Sequence, residues 1–139
     1  MRKASLWQQL FGLERAVVED VEFEPGQGMV VVHARPVARA RRRCGVCGVR
    51  CPRYDQGARR RRWRALDLGT VQAFIEADAP RVSCARHGVV VAAVPWARHC
   101  AGHTRAFDDT VAWLACQTSR TAVRQLLRIA WPTVGAIIT

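Results

Sequence analysis

Apolar residues recur along this chain with two different periods, and the change of period falls near Trp96. In residues 4–14, Leu6, Leu10 and Leu13 share one helical face and Trp7 and Phe11 adjoin it, which predicts a short amphipathic helix. The runs VVEDVEFE and MVVVHARP flank Pro25-Gly26-Gln27-Gly28 and predict a hairpin that Pro36 ends. His33 alternates with valines and reads as a half-exposed structural histidine. Trp63, Ala65, Leu66 and Leu68 precede Gly69-Thr70, and Val71, Ala73 and Ile75 follow it, so a second hairpin is the simplest account. Asp78-Ala79-Pro80 makes a further turn, and Val82 leads into Cys84.

Beyond Trp96 the period becomes helical. Thr104 is placed to cap a helix with Asp108 and Asp109 near its positive end. Phe107, Val111, Leu114 and Ala115 then repeat at helical spacing. Thr118 or Ser119 caps a second helix carrying Ala122, Val123, Leu126 and Leu127. After the connector Arg128-Ile129-Ala130, Pro132 suits the first position of a third helix, whose apolar side is Val134, Ile137 and Ile138. The expected class is α+β: a small zinc-ribbon-like β domain with a preceding helix and hairpin, followed by an all-α helix-turn-helix. The boundaries expected are 1–36, 37–97 and 98–139.

Charge sharpens this picture because it is unevenly placed. Of the net +11, residues 35–64 hold twelve arginines against the single acid Asp55, whereas residues 1–34 hold three basic groups and five acids. Such a stretch points to a polyanion. No run of about 18 apolar residues exists, so no membrane helix is expected. Neither is a signal peptide, and a cytoplasmic, nucleoid-associated location follows. Six cysteines in a reducing compartment read first as metal ligands.

Cys44-Gly-Val-Cys47 is a C-x2-C knuckle, and Cys84-Ala-Arg-His87 is a C-x2-H partner followed by Gly88. Two such pairs give three sulfurs and one nitrogen, a closed set suited to structural Zn2+. The 36 intervening residues exceed the usual ribbon spacing, and the hairpin between them would fill that excess. Cys51 is an alternative third ligand, and Cys100-Ala-Gly-His103, preceded by His99, is a rival pair. Catalytic zinc is excluded, because neither H-x-E nor H-E-x-x-H occurs.

Arg41, Arg42 and Arg43 precede the knuckle, and Arg59, Arg60, Arg61, Arg62 and Arg64 surround Trp63 on a predicted strand. Alternation puts Arg60, Arg62 and Arg64 on one face and Arg59, Arg61 and Trp63 on the other. Clustered arginines repel one another unless a polyanion neutralises them, so phosphate contact is expected. In the last two helices Val123, Leu127, Ile129, Val134 and Ile137 fall where a helix-turn-helix places its core. Arg124 and Arg128 replace the usual small residue and turn glycine, and Thr133 and Ala136 would face the major groove.

The order LFGLERAVVEDVEF, C-x2-C, RRRWRALDLGTV, RVSCARHG, VPWARH-x-AGHTR and TVAWLA followed by TVGAI resembles the N-terminal region of bacterial insertion-sequence transposases of the ISL3 family. The resemblance implies Cys44, Cys47, Cys84 and His87 as zinc ligands and double-stranded transposon ends, with their terminal inverted repeats, as the partner. It also implies a DDE catalytic domain whose acidic residues lie beyond residue 139, so no enzyme activity is expected of this chain. Cys100 and Pro132 depart from the family pattern. A stand-alone zinc-containing regulator and a zinc-ribbon module for protein or RNA are the alternative readings. The sequence leaves open whether the chain forms a homodimer.

Overall fold

The computed structural model describes residues 3–138. Helix α1 (Lys3–Leu10) leads into β1 (Ala16–Glu24) and β2 (Met29–Pro36). Then follow β3 (Arg53–Asp55), β4 (Arg60–Leu68), β5 (Val71–Asp78), β6 (Arg81–Cys84) and β7 (Gly88–Val91). Three helices complete the chain: α2 (Arg105–Gln117), α3 (Arg120–Leu127) and α4 (Trp131–Ile138). Among the described residues no helix is long and apolar enough to cross a membrane.

Both predicted hairpins form, and they belong to one sheet. Its order is β1-β2-β5-β4, antiparallel within each hairpin and parallel where β2 meets β5. The boundary expected at residue 36 therefore runs through a single sheet, because Val30, Val31 and Val32 pair with Ala73, Phe74 and Ile75. Val32, Ile75 and Trp63 lie in register across three strands, and all are buried. Trp96 closes this core edge-on to Trp63, with ring centroids 5.5 Å apart. The predicted alternation along β4 holds: Arg60, Arg62 and Arg64 share the face opposite Trp63.

Helix α1 packs on this sheet by a different face from the one its leucines suggested. Trp7, Phe11 and Leu13 meet the core, whereas Leu6 and Leu10 are exposed. The reason is where the helix stops. Gly12 adopts φ +60°, the Gly12 N–H donates to Gln9 and the Leu13 N–H to Gln8, a left-handed C-terminal turn that folds Leu13 back beneath the helix.

The second sheet, β3-β6-β7, is the small ribbon. The β4–β5 hairpin leaves it to join the first sheet, which accounts for the long ligand spacing. At the free edge of β4, the Arg64 N–H donates to Gly102 and the Thr104 N–H to Arg64, at 3.0 and 2.9 Å. The segment before α2 thus covers that edge and ties the helices to the sheet.

The three helices bury Phe107, Val111, Val123, Leu127 and Val134, with Ile129, Ile137 and Leu66 of β4 packed against them. Thr104 caps α2 through the Phe107 N–H, and Ser119 rather than Thr118 caps α3 through Ala122. Leu126, expected on the apolar side, is exposed, because Val123 and Leu127 already fill the contact with α4. Pro132 is the second residue of α4, still within the first turn where a missing N–H is tolerated.

Candidate metal centre and basic surface

The knuckle is shaped by its backbone. The Cys44 N–H donates to Val49 and the Gly48 N–H donates back to Cys44 at 2.8 Å, with Gly48 at φ +75°. Gly45 is required for a different reason: a Cβ there would lie 2.6 Å from the Val91 carbonyl oxygen and would strike the His99 ring. On the other side, β6 ends at Cys84 and pairs with Gly88 across a tight turn that carries His87.

These turns bring Cys44, Cys47, Cys84 and His87 together, with all four ligand atoms within 4.8 Å of one another. The His87 Nδ1 stands 3.6 Å from both Cys44 Sγ and Cys84 Sγ, and Cys47 Sγ stands 3.8 Å from Cys84 Sγ. A tetrahedral zinc with Zn–S near 2.3 Å and Zn–N near 2.0 Å sets edges of about 3.8 Å between sulfurs and about 3.5 Å from sulfur to nitrogen. The donor set and spacing fit a closed structural zinc.

Backbone N–H groups of His87 and Arg86 hold the Cys84 thiol down to about 6, the direction a thiolate ligand needs. For Cys47, the Val49 backbone lowers the value, but desolvation and the nearby Cys44 and Cys84 outweigh it and push it up. Desolvation likewise raises Cys51, which is buried and donates to the Val49 carbonyl at 3.2 Å. Cys51 stands beside the four-residue group without joining it.

Among the described residues, the rival pair gathers no metal-capable group. Cys100 is exposed, while His103 stacks on Phe107 with centroids 4.8 Å apart. Asp108, 3% exposed, is paired with Arg98 at 2.8 Å, and Asp109 is exposed. His33 sits between Glu22 and Glu76, 2.9 and 3.1 Å away, as a structural histidine.

The arginines expected at nucleic acid divide into groups. Arg60 and Arg62 lie opposite Asp78 and Glu76 across the β4–β5 ladder and pair with them, Arg62 to Glu76 at 2.9 Å. Arg64 has a side chain only 10% exposed, over the Phe107 ring and bonded to Asp67 and the Leu127 carbonyl oxygen. Arg128 also pairs with Asp67. Arg43 donates to the Arg39 and Gly48 carbonyls, and Arg61 to Ala101, so both brace loops. Carboxylates distant in sequence thus neutralise several of these charges, which need no external polyanion for that, contrary to the sequence expectation. Arg41 is exposed and donates to the Pro36 carbonyl, while Arg42, Arg59 and Arg124 are exposed with no ion pair among the described residues. Thr133 is half-buried and lines a groove between α4 and the loop carrying Arg98 and His99.

Residues 40–87 match the zinc-finger of transposase IS204/IS1001/IS1096/IS1165, and residues 92–139 match the helix-turn-helix domain of transposase family ISL3. The chain carries the zinc-finger and helix-turn-helix domains of ISL3-family transposases. It is 57% identical over 143 aligned positions to the transposase for insertion sequence element IS1557 in two strains of Mycobacterium tuberculosis. That alignment takes in 99% of this chain and 32% of each relative, so the chain spans about a third of the length of the curated relatives it matches. No solved structure matches. The ISL3 zinc-finger match holds Cys44, Cys47, Cys84 and His87, and the ISL3 helix-turn-helix match holds α2, α3 and α4.

Proposed function

We propose that this chain is the DNA-recognising portion of an insertion-sequence transposase, engaging the terminal inverted repeats of its element as duplex DNA in the cytoplasm, at the nucleoid. The observation that carries this reading is the helix pair α3–α4. Its core is Val123, Leu127 and Val134, and it leaves Pro132 and Ala136 of α4 exposed beside Arg98 and His99. In a helix-turn-helix the second helix meets base edges, so Thr133 and Ala136 are the residues assigned to the major groove. Arg124, exposed on α3, is assigned to backbone phosphate.

Cys44, Cys47, Cys84 and His87 are assigned as ligands of a structural zinc, which when bound supplies a cross-link between the two halves of the ribbon. We assign no catalytic role to Asp108, which is buried against Arg98. The test is a titration of the full chain against an IS1557-type terminal repeat and a scrambled duplex, with and without chelator. Tighter, zinc-dependent binding to the repeat is expected. Equal affinity for both duplexes would remove the specificity, and no binding to either would remove the function.

A further inference from the structure

A cleft of about 530 Å3 lies where the two sheets meet. One wall comes from β2, the start of β4 and the end of β5, and the other from β3, β6 and the segment leading to Cys44. Six arginines line it against two carboxylates, Glu19 and Asp78. Those two acids face Arg35 and Arg60. Arg42, Arg53 and Arg59 have no ion pair among the described residues, and all three are exposed. Pro36, Pro80 and Val82 line the cleft beside them, and the Arg53 charge also acts on Asp55.

Two of the three are held in an unfavourable backbone conformation. Arg42 and Arg59 have φ of 54° and 63°, a left-handed region that glycine occupies readily and an arginine does not. They approach the same cleft from segments seventeen positions apart. Left-handed backbone also occurs at Arg15, Cys100 and Arg128, and backbone hydrogen bonds hold it at Arg42 and Arg59. What sets the cleft apart is that two such arginines, neither with an ion pair among the described residues, meet in one concave site. The chemistry that answers them is the phosphodiester, which accepts paired N–H donors from planar guanidinium groups.

We infer that this inter-sheet cleft is a sequence-independent clamp for the sugar-phosphate backbone of the bound duplex, with Arg42, Arg53 and Arg59 as its donors. The inference rests on the DNA-binding reading above and separates two tasks within it. Helix α4 reads bases, and the cleft holds backbone at a distance from them.

The test uses the zinc-loaded full chain and the variant Arg42→Gly/Arg53→Gln/Arg59→Gly. Glycine relieves the left-handed strain, so the variant keeps its melting temperature and zinc content, a readout that a merely structural role would move. Affinity for the terminal-repeat and scrambled duplexes should fall together, by at least about tenfold, with their ratio unchanged. The slope of log K against log salt should become shallower by about 2 to 3. An unchanged slope in a folded variant, while the wild type binds duplex, overturns the cleft assignment alone. Wild-type binding to neither duplex overturns the DNA reading and the cleft with it. Inorganic pyrophosphate binding to the wild type as tightly as duplex overturns the backbone assignment in favour of a free small anion.

Discussion

Arg128, in the turn between α3 and α4, reaches Asp67 at the end of β4, with 2.5 Å between Nη2 and Oδ2. The other oxygen of Asp67 accepts from Arg64, which also donates to the Leu127 carbonyl at the C-terminus of α3. One carboxylate therefore fixes the helix-turn-helix against the sheet. It also explains an arginine where such turns favour glycine. Arg128 has φ 56° and ends α3 with its own and the Ile129 N–H directed to the Arg124 carbonyl.

Replacing Asp67 with Asn should lower stability by about 1–2 kcal/mol, mostly from Arg64, whose largely buried guanidinium loses its counter-charge. Arg128→Gly should stay within about 1 kcal/mol of wild type, because relief of the left-handed strain offsets an ion pair that is half exposed. Denaturant unfolding of both variants checks this, and an equal loss in the two would contradict it.

Metal removal should act on one sheet and spare the other. Cys44, Cys84 and Val82 form their own apolar cluster, separate from the Val32, Ile75 and Trp63 core. Chelation, or Cys84→Ser, is expected to abolish hydrogen-exchange protection over residues 81–91 while residues 30–34 remain protected.

Gly45→Ala should weaken zinc retention although residue 45 is not a ligand. The added methyl meets the Val91 carbonyl and the His99 ring, so the backbone between Cys44 and Cys47 must shift. A chelator competition at fixed pH reports the loss. Gly48→Ala should instead strain the turn itself, at φ +75°, and cost about 1–2 kcal/mol.

Acid should loosen the helical region through His103. Burial lowers its pKa from the ordinary 6.5, Asp108 opposes this and Arg64 adds to it. The folded state favours the neutral ring while the unfolded chain takes up a proton near 6.5, so the stability present above that value is lost as pH falls through it towards the folded value. Melting temperatures between about pH 7 and about pH 5 should fall for the wild type and flatten for His103→Phe, which keeps an aromatic ring on Phe107.

The elements formed by neighbouring residues were legible in the sequence: two hairpins about Pro25–Gly28 and Gly69-Thr70, the Thr104 cap, and the Val123, Leu127 and Val134 core. The grouping of Cys44, Cys47, Cys84 and His87 was legible too, since C-x2-C and C-x2-H leave few geometries. What escaped was set by partners far along the chain. Nothing local marks β2 as the parallel neighbour of β5, and a strand buried on both faces shows no alternation to reveal it. The fates of Arg60, Arg62 and Arg64 were hidden for the same reason. A run of arginines looks uniform until Glu76, Asp78 and Asp67 are brought beside it. The left-handed residues on the cleft, Arg42 and Arg59, carry no glycine signal at all.

The parallel join of β2 to β5 also orders events in time. Residues 29–33 find no edge partner of that kind until residues 72–76 exist, so the first hairpin waits, one side unpaired, while some forty further residues leave the ribosome. Cys44 and Cys47 emerge during that wait, ahead of Cys84 and His87. The β4–β5 hairpin then folds away between them and shortens the loop that must close. A four-ligand metal site cannot be completed until Cys84 and His87 have been made, by which point both β2 and β5 exist.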